Sequence, residues 1–344
     1  MDETTTPEIL RVNLAHVVLQ LKSCGIHDPR TFDFLTPPSI QNLKKAFELL
    51  YALKAIDNEM GLTEHGKKMA RLPLDPSFAH LLLQSPKYGC ISEMLTAVAM
   101  LSTENVFYRP GGGNGEDEGS GGSRLASKAA AAHRRFASYE GDIPTLLSIY
   151  ETWEKEAIYI PSYAGGKKAQ KKKQKTKDSK DFGKMLHGEW CLRNFINGRA
   201  LVRAHDVRKQ LSDICGRARE KNGLGWDIGM SCGAEMEPFY KCVCAGLFLQ
   251  AAIRSQIAGN VKQQRQQRQI LLEKGSLTGG KYKTLTSKKE VNIHPTSTLF
   301  GRNPAPKCIV YCELLQTKKA YLRGVTQVRE DWLSELVPDF YKNS

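Results

Sequence analysis

The sequence predicts a multidomain α+β protein, helical to about residue 253 and β-rich from about residue 281. Three observations carry this expectation. The chain has 344 residues, 41% of them apolar, enough to bury a sizeable core in two or three domains. Apolar residues recur at helical spacing through the first part. The last part holds short β-branched runs, Val291–Ile293, Cys308–Tyr311 and Ala320–Val328, punctuated by Pro295, Gly301, Pro304, Pro306 and Gly324, the pattern of a small antiparallel β unit.

Thr6 and Pro7 supply a hydroxyl cap and a first-turn proline, so a helix is expected from there. Leu10, Leu14, Val17, Val18 and Leu21 form its apolar face up to a stop at Cys24-Gly25. Pro37-Pro38-Ser39 opens a second helix with Leu43, Phe47 and Leu50 inward. Ile56-Asp57-Asn58 reads as a turn, and Thr63 caps a short third helix. Three short helices with a tight turn between the last two suit a winged-helix domain, and the periodicity fits any small helical domain as well.

From Phe78 to about Phe107 the pattern stays helical, with a break expected at Ser85-Pro86. Residues 111–122, GGGNGEDEGSGG, are too rich in glycine and acids to repay ordering and read as a loop. Helical patterning resumes from about Ala126 to Trp153, and GGKKAQKKKQKTKDSKDFGK interrupts it. It returns at EWCLRNF, breaks at Asn197-Gly198 and continues with the stripe Ala200, Ala204, Val207, Leu211 and Ile214. Arg199 and Arg203 share another face of that helix, either as solvated surface charge or as phosphate contacts. A further helix is expected from about Met236 to Ile253. A polar, basic stretch then leads, as a surface helix or an insertion, into a first strand near Lys281–Leu285, and a helix from Asp331 to Leu336 closes the β unit.

The formal net charge of +14 is concentrated in two segments. Residues 167–184 carry nine Lys against two Asp, and residues 260–290 carry eight Lys or Arg against two Glu. Clustered cations in a nearly neutral body point to a polyanion, and RNA, DNA and anionic lipid all satisfy that statement. The lysine-rich segment has three readings: solubilising disorder, a nonspecific RNA-contacting tail, or a nuclear or nucleolar localisation signal. Nine irregularly spaced cysteines support neither a disulfide framework nor a zinc site, so a reducing compartment is expected. The start, MDETTTPEIL, has no basic region followed by an apolar one, and no apolar run approaches membrane length. A chain that is neither secreted nor membrane-spanning is therefore expected.

Residues 275–282, GSLTGGKY, come within one position of a phosphate-binding loop, but Tyr282 stands where a magnesium-holding Ser or Thr is needed. No D-E-x-H/D box and no Q-x-x-G-R-x-G-R motif occurs, and Glu64-His65 lacks a third partner at usable spacing. No catalytic, cofactor-binding or metal-ligating set is expected in this chain.

A resemblance now joins the segments. NLAHVVLQL (13–21), FDFLTPPS (32–39), LTEHGKKMARLPLDP (62–76), EGDIPTLLSIYETW, HPTSTLF, IVYCELL, TKKAYLRGV and a DWL helix before VPDFY follow one another in this chain. In that order they resemble the winged-helix, ratchet and oligonucleotide-binding (OB) domains that end DEAH-box RNA helicases. LPLDPSFAHLLLQSPKYGC looks most similar to the pre-rRNA-processing members. The resemblance implies a winged helix over 6–75 and a helical ratchet (helicase-associated) domain over 76–255, with disordered insertions near 111–124 and 163–187. It implies a five-stranded OB-fold β-barrel over 256–344. The family pattern has a shorter link between YETW and WCLRNF, so the lysine-rich segment is an insertion.

In that family the motor domains precede the winged helix, so ATP and Mg2+ would belong to the parent helicase and no cofactor to this chain. The resemblance implies a sleeve around single-stranded or structured RNA. It would be contacted by Lys281, Lys283, His294, Thr296, Ser297, Lys318, Lys319, Tyr321 and Arg323, with Arg199 and Arg203 on the ratchet helix. His294 and Tyr321 read equally well as core, while Phe300, Tyr311, Trp332 and Phe340 read as core outright. A nuclear, nucleolar location and a role in ribosome biogenesis or RNA processing follow as expectations. The alternative is a non-catalytic module that docks a glycine-rich patch activator or ribosome-assembly factors.

Overall fold

The computed structural model describes residues 7–10, 13–108, 120–156, 187–217, 223–255, 281–317 and 319–341. Most of both expected insertions, the stretch 256–280 and Lys318 lie outside the described residues. The chain divides into two compact units, one of Met1–Leu95, Gln210–Leu249 and Asp331–Ser344, the other of Thr96–Lys209 and Gln250–Glu330.

In the first unit α1 is Ala15–Ser23, later than its proline signal suggests, and only a 3-10 turn forms at Glu8–Leu10. Asn13 Oδ1 accepts the Ala15 N–H at 2.9 Å and so starts the helix there. Leu14, Val18 and Leu19 build its buried face, and Leu10 stays at the surface. Helix α2, Ile40–Ala52, is capped by the Ser39 hydroxyl and buries Leu43, Ala46 and Leu50. Between α2 and α3 (Glu64–Ala70), Asp57 Oδ1 accepts from Gly61 N at 2.7 Å and Glu59 N at 3.0 Å, closing the turn below the Ile56–Leu62 bridge. Thr63 caps α3 by accepting from Gly66 N at 2.9 Å.

Helix α4, Pro76–Tyr88, runs through Pro86, so the expected break at Ser85-Pro86 is corrected. Pro86 has no N–H for the Leu82 carbonyl, and the Ser85 hydroxyl donates to that carbonyl instead at 2.7 Å. The helix ends at Gly89, whose φ of +67° is left-handed, and α5, Ile91–Leu101, follows. Helix α10, Glu237–Gly246, packs on α4 so closely that a Cβ at Gly246 would lie 2.8 Å from Leu81 Cα. Gly246→Ala is therefore expected to cost about 1–3 kcal/mol, read as a lower urea midpoint, and an unchanged midpoint would contradict this packing. Helices α11 (Glu330–Leu336) and α12 (Pro338–Tyr341) bear on the same unit. The Lys241 ammonium lies 5.7 Å from the Trp332 ring centre, and the Tyr341 hydroxyl donates to the Phe248 carbonyl.

The second unit holds α6 (Ser120–Arg134), α7 (Asp142–Glu156), α8 (187–194) and much of α9 (Gly198–Gly216). The single helical stretch expected from Ala126 to Trp153 is interrupted before Asp142, where Gly141 takes a φ of +125°. Tyr150, Trp153, Trp190, Ile196, Leu201 and Ala204 centre the helical core.

The expected helix to Ile253 is also corrected. It stops at Gly246, and after a 3-10 turn Ala251–Arg254 forms β1. An apolar run such as LFLQAAI suits a buried strand as well as a buried helix. The further strands are β2 (Tyr282–Thr284), β3 (Glu290–Ile293), β4 (Cys308–Val310), β5 (Glu313–Gln316), β6 (Ala320–Arg323) and β7 (Thr326–Val328).

The described strands form an open sheet of seven strands, where five are expected, in the order β5-β6-β3-β2-β1-β4-β7, and closure into a barrel is not shown among them. The pairing is antiparallel except between β3 and β6, which is parallel. Gly324, at φ +62° and with its Cβ position 2.8 Å from Cys312, splits the Ala320–Val328 run into β6 and β7. Tyr282, Val291, Ile293, Ile309 and Leu322 pack with Leu299 and Tyr311 in the sheet's core.

Candidate nucleic-acid interface

Side chains of a strand alternate between faces, and this places Lys281, Lys283, Tyr321 and Arg323 on one side of the sheet. Tyr282 and Thr284 are buried while Lys281 and Lys283 are exposed; Val291 and Ile293 are buried while Glu290 is exposed; Leu322 is buried while Arg323 is exposed. The register sets Lys283 opposite Glu290, Asn292 opposite Tyr321, and Glu313 opposite Arg323. One outward row therefore reads Lys283, Glu290, Asn292, Tyr321, Arg323, Glu313. His294 and Tyr321, each half-buried, meet edge to face with ring centres 5.7 Å apart. His294 Nδ1 lies 2.7 Å from the Thr296 hydroxyl, which fixes the ring's orientation. Lys319 is exposed between β5 and β6, and Lys318 lies outside the described residues.

Two cations of this face have carboxylate partners. Lys281 pairs with Glu290 at 3.4 Å and Arg323 with Glu313 at 4.0 Å, both exposed and worth little in water. Lys283 and Lys319 have no ion pair among the described residues. Lys283, Lys288, Arg254 and Glu290 line a groove with Ile253 and Leu285. Exposed cations beside a half-buried aromatic pair can track a phosphate backbone without reading bases.

Ser297 is placed differently. It is buried, and its hydroxyl donates to Asp142 Oδ1 at 3.0 Å. Asp142, at the first turn of α7, also accepts from Thr298 N at 2.7 Å, Thr298 Oγ1 at 2.9 Å and, on its other oxygen, Val325 N at 2.8 Å. Its own N–H donates to the Val325 carbonyl at 2.7 Å. Burial pushes the carboxyl above the ordinary carboxylate value, and these donors pull it back down. The only sequence signal for Asp142 is an acid at a helix start, which ordinarily means a dipole contact. Its partners are 155 to 183 residues away.

Arg199 and Arg203 stand on α9. Arg203 pairs with Glu104 at 2.9 Å, and Arg199 has no ion pair among the described residues. With His187, Gly198, Val202 and Asp206 they line a shallow pocket. The helix buries Ala200, Leu201, Ala204, Leu211 and Cys215, leaving Val207 and Ile214 half-buried.

No group of three or more His, Cys, Asp or Glu that could hold a metal occurs among the described residues. The pentapeptide GMSCG, Gly229–Gly233, has the G-x-S-x-G spacing of a serine nucleophile. The described residues just before it, 223–228, form no strand, and the Ser231 hydroxyl donates to Glu93, so it lacks the strand-to-helix setting of a nucleophile elbow. Tyr282, at the end of the near-match to a phosphate loop, is buried with its hydroxyl donating to Pro306 O at 2.9 Å, while residues 275–280 lie outside the described residues. No described helix is long and apolar enough to cross a membrane.

Three domain families match the chain in order: the winged-helix Helicase associated domain (HA2) over residues 46–74, the ratchet-like Helicase associated domain (HA2) over 75–146, and the Oligonucleotide/oligosaccharide-binding (OB)-fold over 240–341. "Probable ATP-dependent RNA helicase DHX35" of Homo sapiens is 33% identical over 343 residues, 99% of this chain and 39% of the relative. "Pre-mRNA-splicing factor ATP-dependent RNA helicase prp22" of Schizosaccharomyces pombe is 33% identical over 336 residues, 98% of this chain and 23% of the relative. "Pre-mRNA-splicing factor ATP-dependent RNA helicase DEAH10" of Arabidopsis thaliana is 32% identical over 345 residues, 100% of this chain and 40% of the relative. The chain thus spans 40% or less of the length of each of these relatives.

Proposed function

We propose, from the premise that this chain is the C-terminal region of a DEAH-box RNA helicase, that its sheet holds single-stranded RNA and helps couple ATP hydrolysis to unwinding. The observation that carries the proposal is the outward row of Lys283, Tyr321 and Arg323, with Lys281 and Lys319 beside it. Such a face binds strand without base readout. ATP and Mg2+ would act elsewhere in a longer helicase, and the limits 6–75, 76–255 and 256–344 are the proposed domain division. Two relatives named as pre-mRNA-splicing factors support a nuclear RNA-processing role. The ribosome-assembly and nucleolar expectation has no such support.

The test is binding of labelled oligo(U) across a salt series. Log affinity is expected to fall linearly with log salt, by about 0.7 per phosphate contacted. A flat series, or no binding at low salt, would remove the RNA-holding role.

A protein-docking role is the second reading, and one observation favours it. Leu35 and Ile40, in and just after the FDFLTPPS segment, are 107% and 84% exposed. A glycine-rich patch activator or an assembly factor could cover them. Partners retained after nuclease treatment would support this reading, and partners lost would support RNA bridging.

A further inference from the structure

Tyr139 and Arg302 form a pair that the sheet-face reading does not use. Tyr139 lies in the link between α6 and α7 and is 65% exposed. The Arg302 guanidinium, from the link between β3 and β4, lies over its ring with the central carbon 3.1 Å from the ring centre. Arg302 also donates to the Tyr139 carbonyl, so the same side chain holds both the ring and the backbone of that residue. Arg302 has no carboxylate partner among the described residues. Arg134 and Arg135, at and just after the end of α6, are exposed and have no ion pair among the described residues either.

The link that carries Tyr139 is pinned on its C-terminal side. Glu140 O accepts from Gln327 N at 2.7 Å, Gly141 bridges to Thr326, and Asp142 is fixed by the contacts above. A Cβ at Gly141 would lie 2.3 Å from Val325 O, so the two backbones meet directly. The aromatic ring is thus presented on an ordered backbone, and a ligand that stacks on it has little loop-ordering entropy to overcome.

A rigid, exposed ring under a guanidinium, with two exposed arginines close in sequence that have no ion pair among the described residues, matches the chemistry of an unstacked base between two phosphates. Every base offers a π face, and arginine contributes both charge and a planar surface. We propose that Tyr139 and Arg302 form a stacking platform for one unpaired base of single-stranded RNA, with Arg134 and Arg135 serving the flanking phosphates. The proposal rests on the RNA-holding reading above and adds a second contact point, outside the strands, to that track.

The experiment uses the full chain, a fluorescein-labelled oligo(U), the same strand carrying a single 2-aminopurine, and a strand of the same length without bases. Tyr139→Ala is expected to weaken oligo(U) binding about tenfold, to abolish the quenching of 2-aminopurine fluorescence, and to leave affinity for the base-free strand unchanged. Tyr139→Trp should restore affinity and quenching. Equal oligo(U) affinity and equal quenching in wild type and Tyr139→Ala would overturn the platform and leave the RNA-holding reading standing. A wild-type protein that binds none of these strands would overturn both. Equal weakening toward the base-free strand would show that Tyr139 acts on the fold or the backbone, and the stacking role would be rejected.

Discussion

Asp142→Ala should lower the stability of the protein by about 3–5 kcal/mol, because it removes one carboxylate and leaves Ser297, both donors of Thr298 and Val325 N without their acceptor. Asp142→Asn keeps the size but turns one oxygen into a donor, so at least one N–H or O–H then faces another; about 1–3 kcal/mol is expected. Urea unfolding of the two variants beside wild type checks both. A loss below about 1 kcal/mol for Asp142→Ala would mean that water replaces the carboxylate and that the staple is dispensable. The pH dependence has a definite sign. With its pKa raised by burial, the carboxyl contributes most below the ordinary carboxylate pKa, and that contribution is lost as pH rises through the raised native value. Asp142→Asn should remove this slope.

Reversing two outward charges, Lys283→Glu with Arg323→Glu, should weaken oligo(U) binding by at least about tenfold and reduce the salt slope by about 1.4, the share of two phosphates on a single strand. The comparison that gives this its meaning is Arg203→Glu. Arg203 already has Glu104 at 2.9 Å, so the field it presents to a strand is partly cancelled before substitution. Its reversal should cost less than that of Lys283, which has no ion pair among the described residues. If Arg203→Glu proved the more damaging change, the track would run over α9, and the sheet face would be ordinary surface.

Much of this architecture was legible from local chemistry. Ser39 and Thr63 are hydroxyl caps that bond where such residues bond, and the stripe through Ala200, Ala204 and Leu211 faces inward as its spacing requires. The misreadings have physical causes. Pro86 looks like a breaker because the sequence does not reveal that Ser85 will serve the freed carbonyl. The residues of β1 look helical because Ala251 and Ala252, on opposite faces of the strand, are both buried and show no alternation. Lys283 and Arg323 could be nominated from charge, and the outward row could not, since it depends on a parallel β3–β6 register between segments far apart in sequence. Asp142 was out of reach for the same reason: a carboxylate is recognisable as a staple only when its distant donors are in place.

The acids on the sheet face have a kinetic consequence. Glu290 and Glu313 lie within reach of Lys281 and Arg323, so each cation has an internal anion ready to recapture it when a phosphate leaves. On the proposed RNA-holding face such exchange would shorten dwell time, so replacing those two acids by neutral residues should slow the dissociation of oligo(U).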